Sequence, residues 1–315
     1  MVNLGEMFGA GEVRTFMGLP ECNDLVRLEA RIAIIGADAC TSYPSVGAYC
    51  TGGPAAIRAG GAQYAANLAH MNFDLGGAIF PGRIDAVDAG DLPQVDGDGA
   101  GNRARIGAAV RTVLERGGVP VLLGGDDSVP IPMIEAFGAM GRKVAILQID
   151  AHIDWRDEVQ GERLGLSSTM RRVSEMAHVG KIVQVGQRGI GSARLGDVAD
   201  ARAAGVTFIP ARALAAEGLA QVAAAIPDGA EVIVCLDCDA IDPAFMPAVI
   251  GRTAGGLSYW DVVEIIDAVA AKARIVAFDM VEFMPERDID GQGALVAAQL
   301  LAAVLGIVAR QGESR

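Results

Sequence analysis

The chain has little of what would direct it to a membrane, a nucleic acid or an oxidising compartment. Five cysteines, Cys22, Cys40, Cys50, Cys235 and Cys238, are odd in number and scattered through apolar segments, which suits reduced, buried thiols rather than a disulfide framework. Basic residues are outnumbered, 26 against 39 acidic, giving a formal charge of −13 that repels polyanions; no nucleic-acid partner is expected. No uninterrupted run of 18 or more apolar residues appears, and the start MVNLGEMFGAGEV lacks the basic flank and apolar core of a secretory signal. A cytoplasmic protein with no membrane partner is the expectation. Nor is there a repeat, a linker or a low-complexity tract, so residues 1–315 are expected to form a single domain, with 1–30 as an N-terminal arm in packing or oligomer contacts.

What is present is apolar surface: 51% of the 315 residues are hydrophobic, enough for a large core. Near-continuous Val- and Ile-rich runs at 31–36, 119–125, 143–150, 181–187, 206–210, 231–237 and 274–280 predict fully buried strands. Ala-rich stretches at Asn102–Arg116, Leu214–Ile226, Tyr259–Ala271 and Gly293–Arg310 predict helices between them, while 43–54 and 91–101 read as loops. This alternation is the pattern of an α/β fold with a parallel sheet covered on both faces.

In such a sheet, chemistry gathers at the carboxyl ends of the strands. Four predicted strands end in acid there: GGDDS, DAHID, DCDAIDP and DMVE. DAHID sets Asp150, His152 and Asp154 at alternate positions, so an extended backbone turns all three side chains the same way, and Asp237 and Asp239 in DCD repeat the pattern. Carboxylates this dense push each other's pKa upward unless cations neutralise them. Oxygen-rich ligands with one imidazole favour Mn²⁺ or a similar divalent ion, and their number implies two ions. A lone Asp at a strand end is ordinarily a cap or turn residue, and Asp126, Asp242 and Asp279 fit that description too. His70 and His178 lie outside the clusters and read as packing or surface residues.

GGDDS, DAHID and DCDAIDP, in this order and spacing, resemble the metal-binding motifs GGDHS, DAHxD and DxDxxDP of the ureohydrolase (arginase/agmatinase) family, on its agmatinase-like branch. The stretches SYPSVGAYCTGGPAAIR and FDMVEFMPERD are similar to its substrate-side loop and glutamate-bearing strand end. The resemblance implies a three-layer α/β/α fold around an eight-stranded, mostly parallel sheet, with two divalent ions, most simply Mn²⁺. It implies hydrolysis of a small cationic guanidino or amidine compound to urea and an amine, and a homo-oligomer, trimer or hexamer. It assigns Asp150, His152, Asp154, Asp237 and Asp239 as metal ligands, with Asp127 in the remaining ligand position. Asp154 is also assigned the attacking hydroxide and proton transfer to the leaving amine, Glu282 the guanidinium, and Asp126 and Asp242 the orientation of ligands.

The chain departs from the family pattern in three places. Asp127 stands where the family has a histidine, so five carboxylates face two ions and the ligand set carries about −1 rather than neutrality. Leu166, flanked by Ser167 and Ser168, aligns with the histidine of the family's HGTxFRR loop. Trp155 replaces a small residue beside DAHID; it either stacks on a flat cation or packs the loop. Ser167 and Trp155 are candidate substrate contacts, as are Tyr43, Tyr49, Arg163 and Arg188. Two functions follow: an active ureohydrolase, or a subunit of the same fold that supports an active paralogue in a hetero-oligomer. A phosphate-binding Rossmann protein is excluded by acidic strand ends and by the missing glycine fingerprint.

Overall fold

Runs of Val, Ile and Leu that cannot face water on either side become the central strands of a sheet, and the computed structural model, which describes residues 13–191 and 193–311, places them so. The eight strands are β1 (Ile32–Ala37), β2 (Ala86–Asp91), β3 (Val119–Gly124), β4 (Val144–Ile149), β5 (Val179–Val185), β6 (Thr207–Ile209), β7 (Glu231–Asp237) and β8 (Arg274–Val281). Their order is β2-β1-β3-β8-β7-β4-β5-β6 and every pairing is parallel, so the expected "mostly parallel" sheet is wholly parallel. Seven of these were legible as apolar runs. β2, reading AVDAGD, was not: it is the last strand on its side of the sheet, pairs with β1 and carries one isolated bridge to Glu21, and alternates buried with half-buried residues.

Nine α-helices lie among the described residues: α1 (Gly53–Gly61), α2 (Gly99–Glu115), α3 (Pro130–Ala139), α4 (Thr169–Ser174), α5 (Leu195–Ala203), α6 (Ala211–Glu217), α7 (Ala220–Ala225), α8 (Tyr259–Ala270) and α9 (Gln292–Ala309). The helix expected over Leu214–Ile226 is two helices, because Gly218 adopts φ +84° and ends the first. Helix α1 occupies part of a stretch whose Gly and Pro suggested only a loop; its Pro54 sits in the first turn, where a missing N–H costs nothing. One hydrophobic cluster joins α1, α8 and α9 to one face of the sheet, and a second joins α2 and α3 to the other. Helix α9 is apolar and long enough to cross a membrane by composition, with mean hydropathy 2.0, but 72% of it is buried in the first cluster.

The edge strand is fastened by charge. Arg58 of α1 donates from Nε and Nη2 to the two oxygens of Asp88 (2.8 and 2.9 Å) and from Nη1 to Asp91 (2.5 Å), with Arg58 and Asp88 both buried. Asp88 also accepts from Phe16 N at 2.7 Å, which ties the described part of the N-terminal arm to β2; residues 1–12 of that arm lie outside the described residues. Strands β3, β8, β7 and β4 are consecutive in the middle of the sheet, so the four acidic strand ends open side by side.

Candidate metal centre

The turn after β3 carries Asp126 and Asp127. A Cβ on Gly125 would stand 2.0 Å from the backbone oxygen of Asp38, so only glycine lets this turn pass under the end of β1. Asp126 then secures it, accepting from Cys40 N (3.2 Å), Ser42 Oγ (3.3 Å), Ser128 N (3.1 Å) and the Ser128 hydroxyl. Asp127 is pinned by its backbone: its N–H donates to Glu282 Oε1 at 2.9 Å and its carbonyl accepts from Thr169. Its Oδ2 is buried and has no hydrogen-bond partner.

After β4 the chain delivers Asp150, His152 and Asp154. His152 Nδ1 lies 2.9 Å from Asp239 Oδ2 and 3.5 Å from Asp150 Oδ1. Beneath them Gln148, fully buried, donates from Nε2 to Asp150 Oδ2 (2.6 Å) and Asp154 Oδ2 (2.8 Å), and its own oxygen accepts from Gln184, its register neighbour on β5. From β7, Asp237 accepts from Asp239 N at 2.6 Å. Asp154 and Glu282 both hold left-handed backbone, φ +44° and +64°, which a non-glycine residue adopts only when its surroundings force it.

Two groups of side chains place their ligand atoms within 4.8 Å of one another: Asp150, His152 and Asp239, and Asp127, Asp150 and Asp154. Burial, followed by the charge of their neighbours, pushes Asp127, Asp154 and Asp237 well above the usual carboxylate range, and Asp239 upward. Asp150 moves the other way, because its contacts with His152 and Asp154 outweigh its burial. Burial opposes charge on His152, yet Asp150 and Asp239 overcome it and push the imidazole up to about 12. Glu282 is pushed by burial up to about 8. A cluster so short of compensating charge, with an unpartnered carboxylate oxygen inside it, fits divalent cations. All six expected ligands therefore meet at one place.

Five of them, Asp127, His152, Asp154, Asp237 and Asp239, line a cavity of about 180 Å³ together with Arg156, Leu166, Ser167, Gly191, Ile250 and Glu282. Asp150 does not line it but belongs to both groups of ligating side chains. Ser167 and Leu166 thus face the cavity as the loop pattern implied. Trp155 does not. It is 3% exposed and packs in the hydrophobic cluster with α2 and α3, the chain leaving Asp154 through a left-handed turn; its assignment as a substrate contact is corrected. Asp242 is corrected too, since its oxygens accept the amides of Ala244 (3.0 Å), Gly255 (2.8 Å) and Gly256 (3.0 Å) and shape a loop rather than orient a ligand. Arg188 grips backbone carbonyls, among them Asp239 O at 2.6 Å, and Arg163 pairs with Asp157 on the surface. Tyr43 OH accepts from Ser167 N at 3.1 Å, and Tyr49 OH reaches Glu282.

Three features of the site were not read from the sequence. Gln148 and Gln184 stand out only as polar residues in apolar strands, two positions before Asp150 in the first case, and that period was the available signal. Arg156, the one Lys or Arg lining the cavity, carries no local signature; its Nη1 pairs with Asp197 at 2.8 Å. Asp279 is no turn residue: it is fully buried inside β8 beside Cys235, its oxygens unpartnered and its pKa pushed by burial up to about 8.

A model of the arginase family matches residues 30–306. Arginase 1 of rice is 34% identical over 200 residues, covering 62% of this chain and 57% of the rice protein; the chain spans less than two thirds of the length of the plant arginases it matches. Guanidinobutyrase of Pseudomonas aeruginosa is 29% identical over 318 residues, covering 96% of this chain and 94% of that one. Among solved structures, proclavaminate amidino hydrolase from Streptomyces clavuligerus superimposes with a TM-score of 0.83 at 25% identity, covering 96% of this chain and 99% of that one. With the family model spanning the sheet from β1 to α9 and the acidic strand ends meeting in one cavity, the chain belongs to the arginase family.

Proposed function

We propose that the chain hydrolyses a small guanidino or amidine cation, R–NH–C(NH₂)₂⁺ plus water giving R–NH₃⁺ and urea, with two divalent ions, Mn²⁺ the best match to its oxygen-rich ligands. The observation that carries this reading is that five expected ligands and Glu282 line one cavity of about 180 Å³, a size for a compact head group, while Asp150 joins both groups of ligating side chains. When bound, the ions supply an acidified water at neutral pH and stabilise developing negative charge.

The chain's own residues do the rest. Asp127, Asp150, His152, Asp154, Asp237 and Asp239 hold the ions. Glu282, at the cavity wall, pairs with the guanidinium and orients its carbon. Asp154 accepts a proton from the attacking water and returns it to the leaving amine; His70 and His178 lie elsewhere, and no second imidazole lines the cavity among the described residues. Leu166 and Ile250 form an apolar wall that keeps bulk water from the reacting carbon.

The test is urea release from a panel of guanidino and amidine compounds by Mn²⁺-loaded protein, with Glu282→Gln in parallel. Losing a charge-assisted contact in a closed site costs about 2–4 kcal/mol, so kcat/KM is expected to fall about 30- to 1000-fold with folding intact. Protein that binds two ions yet releases urea from none of them would leave the supporting-subunit reading instead.

A further inference from the structure

The two groups of metal-ligating side chains share Asp150 but differ in kind. Asp150, His152 and Asp239 offer two carboxylates and an imidazole, whereas Asp127, Asp150 and Asp154 offer oxygen alone. Among the described residues no softer donor completes the second group. Cys235 and Cys238 are the cysteines nearest in sequence to the ligands, and both pack in the hydrophobic clusters on either face of the sheet. His178 points to the carbonyl of Ile134 at 2.9 Å, and His70 lines a separate cavity beside Met17 and Tyr259. Asp127 Oδ2, on a side chain only 3% exposed, is unpartnered inside the oxygen-only group, so that group is a place prepared for a ligand and not merely a packed cluster of acids.

Building on the metal-dependent reading above, we infer that the two metal positions are chemically unequal and select different ions. The oxygen-only position at Asp127 takes a hard ion such as Mn²⁺, and the position at His152 takes a borderline ion such as Zn²⁺. Affinity for borderline ions draws on nitrogen ligands, while carboxylates suit Mn²⁺ and its like. Replacing a neutral imidazole by Asp127 removes that nitrogen from one position and adds a negative charge there, favouring an ion bound mainly by electrostatics. Offered both ions, the chain therefore assembles a mixed pair.

The experiment uses metal-stripped, full-length protein given an excess of Zn²⁺ and Mn²⁺ together, freed of loose metal and assayed for both elements, with Mn²⁺ electron paramagnetic resonance as a second readout. Wild type is expected to hold about one Zn²⁺ and about one Mn²⁺ per chain, the Mn²⁺ giving the spectrum of an isolated ion; with Mn²⁺ alone it holds about two, magnetically coupled. Asp127→His supplies the second imidazole and is expected to take about two Zn²⁺ from the same mixture. His152→Asp removes the imidazole of the ligand cluster and is expected to lose the Zn²⁺ preference altogether, which tests the assignment even if the first variant folds poorly. Two Zn²⁺ in wild type from the mixture, as in Asp127→His, would overturn the inference while leaving the metal-dependent reading intact. No retained ion of either kind, even with Mn²⁺ alone, would overturn both.

Discussion

The hydroxyl of Tyr49 stands 2.6 Å from Oε1 and 2.7 Å from Oε2 of Glu282, so the carboxylate at the end of β8 is held by the loop that follows β1. Burial and the neighbouring Glu282 keep the phenol far above its ordinary range, and it remains a donor. Asp127 N also donates to Oε1 at 2.9 Å, so the carboxylate is held from two sides. Tyr49 does not line the cavity; it acts by positioning Glu282 against its left-handed backbone.

Tyr49→Phe is therefore expected to loosen the clamp without touching the ions. A hydrogen bond to a charged group contributes about 1.5–3 kcal/mol, so KM should rise about 10- to 100-fold while metal content is unchanged and kcat moves far less. Steady-state kinetics beside metal analysis decide it. An unaltered KM would mean that Glu282 holds its place without the phenol.

The metal-free protein should be more stable in mild acid than in mild base. Burial raises Asp279 and Glu282 to about 8, from 3.8 and 4.5 in an unstructured chain. Between those limits the folded chain keeps protons that the unfolded chain has lost, so stability falls as pH rises through the window; the share of Asp279 and Glu282 is spent above about 8, and His152, raised from 6.5 to about 12, extends the fall beyond it. Thermal unfolding of the metal-free protein should give a Tm about 5 °C or more higher at pH 5.5 than at pH 8.5. Mn²⁺ binds the deprotonated ligands and should narrow that gap; a Tm independent of pH without metal would contradict the burial argument.

How far the site could be read from residues alone follows from the range of the contacts. Asp150, His152 and Asp154 lie within five residues and Asp237 and Asp239 within three, so their grouping was visible in the sequence, although the chain bends at 151–152 and Asp239 sits in the 3-10 turn Cys238–Ala240 rather than in an extended strand. The strands were visible because β1, β3, β4, β7 and β8 are buried on both faces and carry no alternation. Edge strand β2 was hidden because half-burial dilutes its apolar signal. The Tyr49–Glu282 contact spans 233 residues, and Arg156 meets the cavity through the path of a loop. Trp155 is misplaced for a local reason: a flat side chain beside a site for a cation suggests stacking, but the residue after Asp154 turns into the core.

The charged fastening of the edge strand is open to a direct test. Asp88→Asn leaves Arg58 buried with half of its charge partners gone, and breaking a buried pair in this way costs about 3–5 kcal/mol. Denaturant unfolding should show a loss of unfolding free energy of that size with no change in substrate preference, since no residue of β2 or α1 lines the cavity. A shift below about 1 kcal/mol would mean that solvent reaches the pair.

Gln148 provides the sharpest separation of fold from function. Its amide is fully buried, and Nε2 lies between Asp150 Oδ2 and Asp154 Oδ2 at 2.6 and 2.8 Å, while Gln184 fixes it from behind. The donor holds two like-charged ligands at the spacing a cation requires. Gln148→Leu keeps the volume of a buried side chain but removes the donor, freeing both carboxylates to turn apart. Loss of a group that orients metal ligands typically weakens metal binding about 10- to 100-fold, and that drop in Mn²⁺ affinity is the expected result by calorimetric titration. Unpaired buried carboxylate oxygens should also lower metal-free stability by about 1–3 kcal/mol, a loss that saturating Mn²⁺ recovers if the fold is otherwise intact. Unchanged Mn²⁺ affinity would show that the carboxylates are positioned by their own backbone alone.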